Sequence, residues 1–230
     1  MLKFLKYEFK RNWRFNSIIL FSFIVLTIVS KILYYIDSSA YSLPKMITRL
    51  CISAAYFSTL FYYIKNFSKD LYSDTGYFTF SLPISGYTYF WGKIIIYFVF
   101  IVLLSPLYFF SLFWIEGLPI EFPVALLIEH IDTNVVLTGI SSLLFIVFSI
   151  ITIYLSITIT HYLFKSKNMY FLWIFIFVII MVVVTYFRFN IIFENNSVIS
   201  ALITDIVIQS FCVILFIKLG GYLLDQKLEL

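Results

Sequence analysis

Six apolar runs, each about long enough to cross a lipid bilayer and parted by short polar connections, constrain this chain more than any other feature. They cover residues 18–36, 46–64, 94–113, 134–163, 170–186 and 201–219. A hydrocarbon core ~30 Å thick takes roughly 20 helical residues. The expected fold is therefore all-α: a polytopic membrane protein with six transmembrane helices, forming one transmembrane domain over 1–230. Composition agrees, with 62% hydrophobic residues, 22% aromatic and only 12% charged, the last about half the ~25% usual for soluble domains. Mean hydropathy is +1.00. At ~1.5 Å per residue the fourth run reaches ~45 Å and must tilt or protrude. The third is interrupted by Ser105-Pro106, which predicts a kink.

Residues 1–15 carry Lys3, Lys6, Lys10, Arg11 and Arg14 interleaved with Leu2, Leu5, Phe9 and Trp13. At the helical period these apolar residues share one face with cations along its flank, the pattern of an interfacial helix. An ordinary basic flank obeying the topology rule has the same composition. Phe4 and Phe15 fall on the far side with Glu8 and Arg11, so that side is expected to touch protein. A secretory signal has a similar basic head, but the apolar run at 18–36 exceeds the usual ~7–15 residues, so the first run is read as an uncleaved anchor.

Orientation follows from the distribution of Lys and Arg. Twelve of the sixteen lie on the side holding the N-terminus, the 65–93 loop, the Lys165/Lys167 turn and the tail. Lys31, Lys45, Arg49 and Arg188 lie on the other. Both termini and the 65–93 loop are thus expected in the cytoplasm of a multi-pass plasma-membrane protein.

The 65–93 stretch is too polar and too punctuated to cross the membrane. Ser68 reads as a helix N-cap, Asp70 complements the helix dipole and Gly76 ends the turn, which predicts a short surface helix over 69–75. Pro83 disfavours helix at Leu82, and Ser85 starts the lead-in to the third run, with Gly86 and Gly92 as hinge and approach. A short capped helix on a rigid bundle suits the docking of a soluble partner; a plain capped loop has the same residues.

Catalytic chemistry is hard to find. Gly86 to Ile94 comes nearest to a phosphate loop, but it has five residues between glycines where a Walker motif has four, aromatic bulk beside the backbone, and Ile94 where Ser or Thr should hold magnesium. The connection 114–133 carries Glu116, Glu121, Glu129 and Asp132 with no Lys or Arg, and 124–131 reads as a short re-entrant or surface helix. His130 lies in that acidic loop, where Glu129, His130 and Asp132 form a lone cluster without a paired site. His161 reads as a membrane-interface residue rather than a base. No carboxylate pair suits intramembrane proteolysis, and Asp205 is the acid set most clearly inside an apolar run, about a turn deep. Cys51 and Cys212 read as small buried hydrophobes.

The fourth run orders its hydroxyls. Thr138, Ser142, Ser149, Thr152, Ser156 and Thr160 fall within about 80° on a helical wheel. Such a stripe is either a packing seam, the commoner use of small hydroxyl residues between membrane helices, or one wall of a polar translocation path.

The chain resembles the permease subunits of type-2 ABC transporters. Lys6-Tyr7-Glu8-Phe9-Lys10-Arg11 carries the likeness at the start, and Asp74-Thr75-Gly76-Tyr77-Phe78-Thr79-Phe80-Ser81-Leu82-Pro83-Ile84-Ser85, followed by Gly92-Lys93, carries it in the loop. The six-run layout covers the whole chain; the motifs are confined to these pieces. Members often have a basic residue soon after the position of Ser85, where this chain has Gly86 and Tyr87. The resemblance implies an ATP-driven exporter in which two permease chains, alike or different, pair in membrane lipid. Each would offer its first loop as a coupling helix to a separate ABC ATPase subunit. ATP and magnesium would bind that partner, leaving this chain with no cofactor and no enzymatic role, and no nucleic acid is expected. The resemblance assigns the docking face to Asp70, Asp74, Gly76 and Tyr77, with Leu71 anchoring the helix to its own bundle. It also suggests an amphipathic or lipid-like cargo, such as antimicrobial or cytolytic peptides of the phenol-soluble-modulin kind. Richness in Ile, Phe, Tyr, Asn and Lys fits an AT-rich bacterial genome. The competing reading is a non-transport immunity or sensor protein that binds a peptide at its outer acidic loop.

Overall fold

In the computed structural model the described residues are 2–36, 42–72, 85–115, 133–164, 171–193 and 197–228. They form six helices and no strand: α1 Leu2–Ile36, α2 Ser42–Tyr72, α3 Gly86–Ile115, α4 Thr133–Leu163, α5 Leu172–Phe193 and α6 Val198–Leu228. Five of them, α1, α3, α4, α5 and α6, are long and apolar enough to cross a membrane. The all-helical membrane class is therefore as expected. α2 is not among the five; its central stretch 47–64 carries Arg49, several hydroxyls and three tyrosines.

The helices run through most of the boundaries drawn from hydropathy. An interfacial helix over 1–15 separate from the first span is not what forms: α1 is continuous, because Phe15-Asn16-Ser17-Ile18 contains neither Gly nor Pro to break it. Likewise α2 does not stop at Ile64 but continues to Tyr72, so Ser68 lies inside it and cannot cap a new helix starting at Lys69. α5 extends past Tyr186 to Phe193, which places Arg188 in a helix rather than a loop. α6 runs through Gly220 and Gly221, glycine being only weakly unfavourable inside a helix otherwise rich in good formers. α3 keeps Pro106 within it. The start signal at Ser85 holds, with Thr88 N–H donating to Ser85 Oγ at 3.2 Å, and Ser197, not singled out from the sequence, caps α6 in the same way, Ser200 N–H donating to its Oγ at 3.2 Å, each satisfying an orphan donor of a first turn. Asp74, Gly76, Tyr77 and the acidic connection with His130 lie outside the described residues, as does the expected re-entrant helix.

The chain divides into two compact units. One comprises residues 2–63 and 96–130; the other comprises 64–95 and 131–230, with Met1. In the first unit α1 buries Phe4, Glu8, Asn12, Asn16, Ile19 and Phe23 along one side, at steps of three or four residues. This is the side expected to touch protein, while Leu2, Phe9 and Trp13 are exposed, as membrane-facing residues should be. The two asparagines on the buried side are matched. Asn12 Nδ2 donates to Glu8 O at 2.8 Å, Tyr62 OH to Asn12 Oδ1 at 3.1 Å and Tyr63 OH to Asn16 Oδ1 at 3.1 Å. Phe15 stacks on Tyr62 at 3.6 Å between centroids. Asn16→Ala would leave the buried Tyr63 hydroxyl without its acceptor, an expected loss of about 1–3 kcal/mol. Thermal denaturation in detergent checks it, and the double variant with Tyr63→Phe should recover most of the loss.

In the second unit α4 packs most extensively on α6, then on α5. Cys51, in the first unit, and Cys212, in the second, are both free; Cys51 is exposed rather than buried, and Cys212 is half-buried.

Candidate functional site

Within the second unit, the end of α2 and the start of α3 are tied in by ring stacking, a buried ion pair and close backbone contact. Phe67, Asp70 and Leu71, at i, i+3 and i+4, put one face of α2's last two turns inward. Phe67 is fully buried and stacks on Tyr154 of α4 with centroids 4.1 Å apart and planes 8° from parallel. Phe90 of α3 meets the same two rings edge-on. Tyr72, the last helical residue, meets the ring of His161 at 4.5 Å, and His161 is buried rather than set at an exposed interface.

Asp70 Oδ2 accepts Lys93 Nζ at 2.5 Å and Tyr89 OH at 3.1 Å. Tyr89 and Lys93 are one turn apart on α3, so both reach the same oxygen, and the ammonium stands 5.2 Å from the Tyr89 ring centroid. Asp70 is 3% exposed and Lys93 4%. A buried carboxylate of this kind is retained only because its partners offset the desolvation cost. Asp70, assigned above to the docking face, is therefore buried in a tie between α2 and α3 instead of lying on the surface, and Leu71 is buried beside it. Lys93, which ends the near miss to a phosphate loop, is committed to this pair.

A second tie closes the other side. Gly86 N–H, at the start of α3, donates to Asp225 Oδ1 of α6, a carboxylate at the positive end of a helix. The two backbones come close enough that a Cβ on Gly86 would stand 2.5 Å from Leu224 Cβ and 2.9 Å from Gly221 O. One on Gly221 would stand 2.9 Å from Tyr87 Cα, and one on Gly220 2.6 Å from the Phe90 ring. Gly86 is thus a contact point between helices rather than a hinge, which is how small residues serve packed membrane helices. α2, α3, α4 and α6 are locked together around the end of α2 and the start of α3.

The hydroxyl stripe of α4 divides in two. Thr152, Ser156 and Thr160 are fully buried; Thr138 and Ser142 are exposed, and Ser149 is half-exposed. Every hydroxyl donates to the carbonyl four residues before it, at 2.7 to 2.8 Å, so each proton serves the helix itself. What the open half offers is acceptor lone pairs and small bulk.

Sequence reasoning missed one cluster. Asp205 of α6 is 5% exposed, so it does not reach outer water by lying a turn inside its helix. Its Oδ1 accepts Arg188 Nε of α5 at 2.5 Å, and its Oδ2 accepts Ser141 Oγ of α4 at 2.6 Å and Gln209 Nε2 at 2.7 Å. Three helices converge on one carboxylate. The signal was present as two opposite charges near the facing ends of neighbouring apolar runs, Arg188 just beyond 170–186 and Asp205 inside 201–219, but Arg188 falls outside its run by hydropathy and Ser141 lies just off the stripe. Among the described residues no three His, Cys, Asp or Glu side chains gather as a metal site would require. No family model, curated protein or solved structure matches the chain.

Proposed function

We propose that this chain is the membrane-spanning permease subunit of an ATP-driven exporter of the type-2 ABC kind, paired with a second permease chain and served by a separate ATPase that binds ATP and magnesium. The segment 73–84 is the coupling element, and both termini face the cytoplasm with it. The observation that carries this reading is the construction of the segment's base: Asp70 with Lys93 and Tyr89 on one side, Gly86 with Asp225 on the other. A loop that only links two helices needs no such mount. One that receives displacement from an ATPase does, because packed elements shift between discrete arrangements instead of deforming softly. The cargo is an amphipathic peptide or lipid-like molecule, in keeping with spans that offer hydroxyls and few charges.

Docking then rests on Asp74, Gly76 and Tyr77, with Leu71 as the anchor to its own bundle. Co-expression with a Walker-motif ATPase encoded beside the chain tests this. The two proteins should co-purify, and Asp74→Ala with Tyr77→Ala should cut cargo-stimulated ATP hydrolysis by about tenfold while the permease stays folded, the expected loss of roughly 1–2 kcal/mol at an interface anchor. Unchanged association and hydrolysis would refute the docking assignment. Protection against a cytolytic peptide that survives deletion of the ATPase would refute export and favour a sequestering membrane protein.

A further inference from the structure

Arg188 stands about 8 Å along the axis from the end of α5 at Phe193, the depth at which a long cation reaches the headgroup boundary of a bilayer. Its Nε is held by Asp205 Oδ1, and its guanidinium carbon lies 5.5 Å from the Phe145 ring centroid. The pairing orients the group without saturating it. Asp205 Oδ2 is occupied by Ser141 and Gln209, and among the described residues nothing accepts from the two terminal nitrogens of Arg188, whose side chain is 20% exposed. A planar fork of donors is thus presented at an otherwise apolar surface. Donors so placed are costly unless an oxygen meets them, and guanidinium geometry matches two oxygens of a phosphate. Below Arg188, toward the middle of α5, Met181 and Phe177 fall within about 20° of it on the helical wheel and are half-buried.

We propose that Arg188, oriented by Asp205, binds the phosphate of a membrane phospholipid whose acyl chains run down the apolar side of α5 past Met181 and Phe177. The lipid phosphate is the anionic oxygen present at this depth, and its chains meet a surface that water would leave exposed. The site needs α5 to span a bilayer but does not depend on transport, so it can fail or stand apart from the exporter reading.

Native mass spectrometry of the full-length chain in mild detergent tests it, with phosphatidylglycerol, diacylglycerol of the same chains and inorganic phosphate as probes. Phosphatidylglycerol should be retained by the wild type, diacylglycerol about tenfold more weakly, and Arg188→Gln should lose about tenfold in phosphatidylglycerol retention, the worth of one charge-assisted pair. Should Arg188→Gln alone fold poorly by stranding Asp205, the double variant Arg188→Gln/Asp205→Asn removes both charges together and is expected to fold with the same loss. Arg188→Lys, keeping the charge without the fork, should fall between. Wild-type retention by the folded glutamine variants overturns the assignment to Arg188; equal retention of diacylglycerol overturns phosphate recognition. Displacement of the lipid by equimolar inorganic phosphate shows a free-anion site and overturns the lipid.

Discussion

Replacing Lys93 by methionine should lower the stability of the purified chain by about 3–5 kcal/mol, the range for stranding one partner of a buried ion pair. Lys93 is 4% exposed and Asp70 3%, and the pair is joined at 2.5 Å, so the carboxylate left behind has little access to water. Tyr89 would still donate to it at 3.1 Å, one neutral hydrogen bond where there had been a charge. The companion variant Asp70→Asn/Lys93→Met removes both charges and should return most of the stability, since an apolar or neutral pair of similar shape commonly matches a buried salt bridge. What it should not return is coupling. On the proposed exporter reading, with α2 and α3 no longer tied at Asp70 and Lys93, ATP hydrolysis by an ATPase that co-purifies with the chain should lose most of its cargo stimulation even as the thermal midpoint recovers. Denaturation in detergent and stimulated hydrolysis, read side by side, separate the two effects. Full recovery of both would make the pair a stability element alone.

That pair also marks the limit of what could be read from the chain. The apolar runs are legible because lipid leaves a helix few alternatives and demands a minimum length, and five of the six helices are apolar enough to satisfy it. Helix ends are another matter. Hydropathy falls at Ile64, but nothing there breaks a helix, so α2 continues for two more turns as far as Tyr72. The polar residues of those turns, Ser68 and Asp70, look like surface residues by composition and are buried in fact. Their partners explain this: Lys93 and Tyr89 come from beyond a segment that no periodicity spans. The same holds for Arg188 and Asp205, whose roles depend on α5 and α6 lying side by side. The spacing of the α4 hydroxyls set out their stripe, but not that each bonds the carbonyl four residues back or that only half of the stripe is buried. For a residue whose environment is another helix, the charge alone signalled importance and left its purpose open.

Gly221→Val should disrupt the second tie of the same mount, and more severely than a loss of side-chain contacts. A Cβ at Gly221 would stand 2.7 Å from Tyr87 Cδ2 and 2.9 Å from Tyr87 Cα. The ring of Tyr87, which is 42% exposed, can swing aside, but the Cα belongs to the first turn of α3 and moves only with it. Separation of the helices would stretch the bond from Gly86 N–H to Asp225 and open the packing of Phe90 against Gly220. Overpacking of this kind usually costs about 1–3 kcal/mol, to which the stranded donor at Gly86 adds about 1 kcal/mol or more. Gly221→Ala asks for the same displacement with less bulk and should show a smaller loss in the same direction. Cysteine pairs introduced across α3 and α6 near the crossing would report the separation directly, with cross-linking efficient in the wild-type background and reduced in the valine variant. If the valine variant keeps both its thermal midpoint and its cross-linking yield, the two helices are not held at this crossing. The mount of the segment 73–84 would then rest on Asp70 and Lys93 alone.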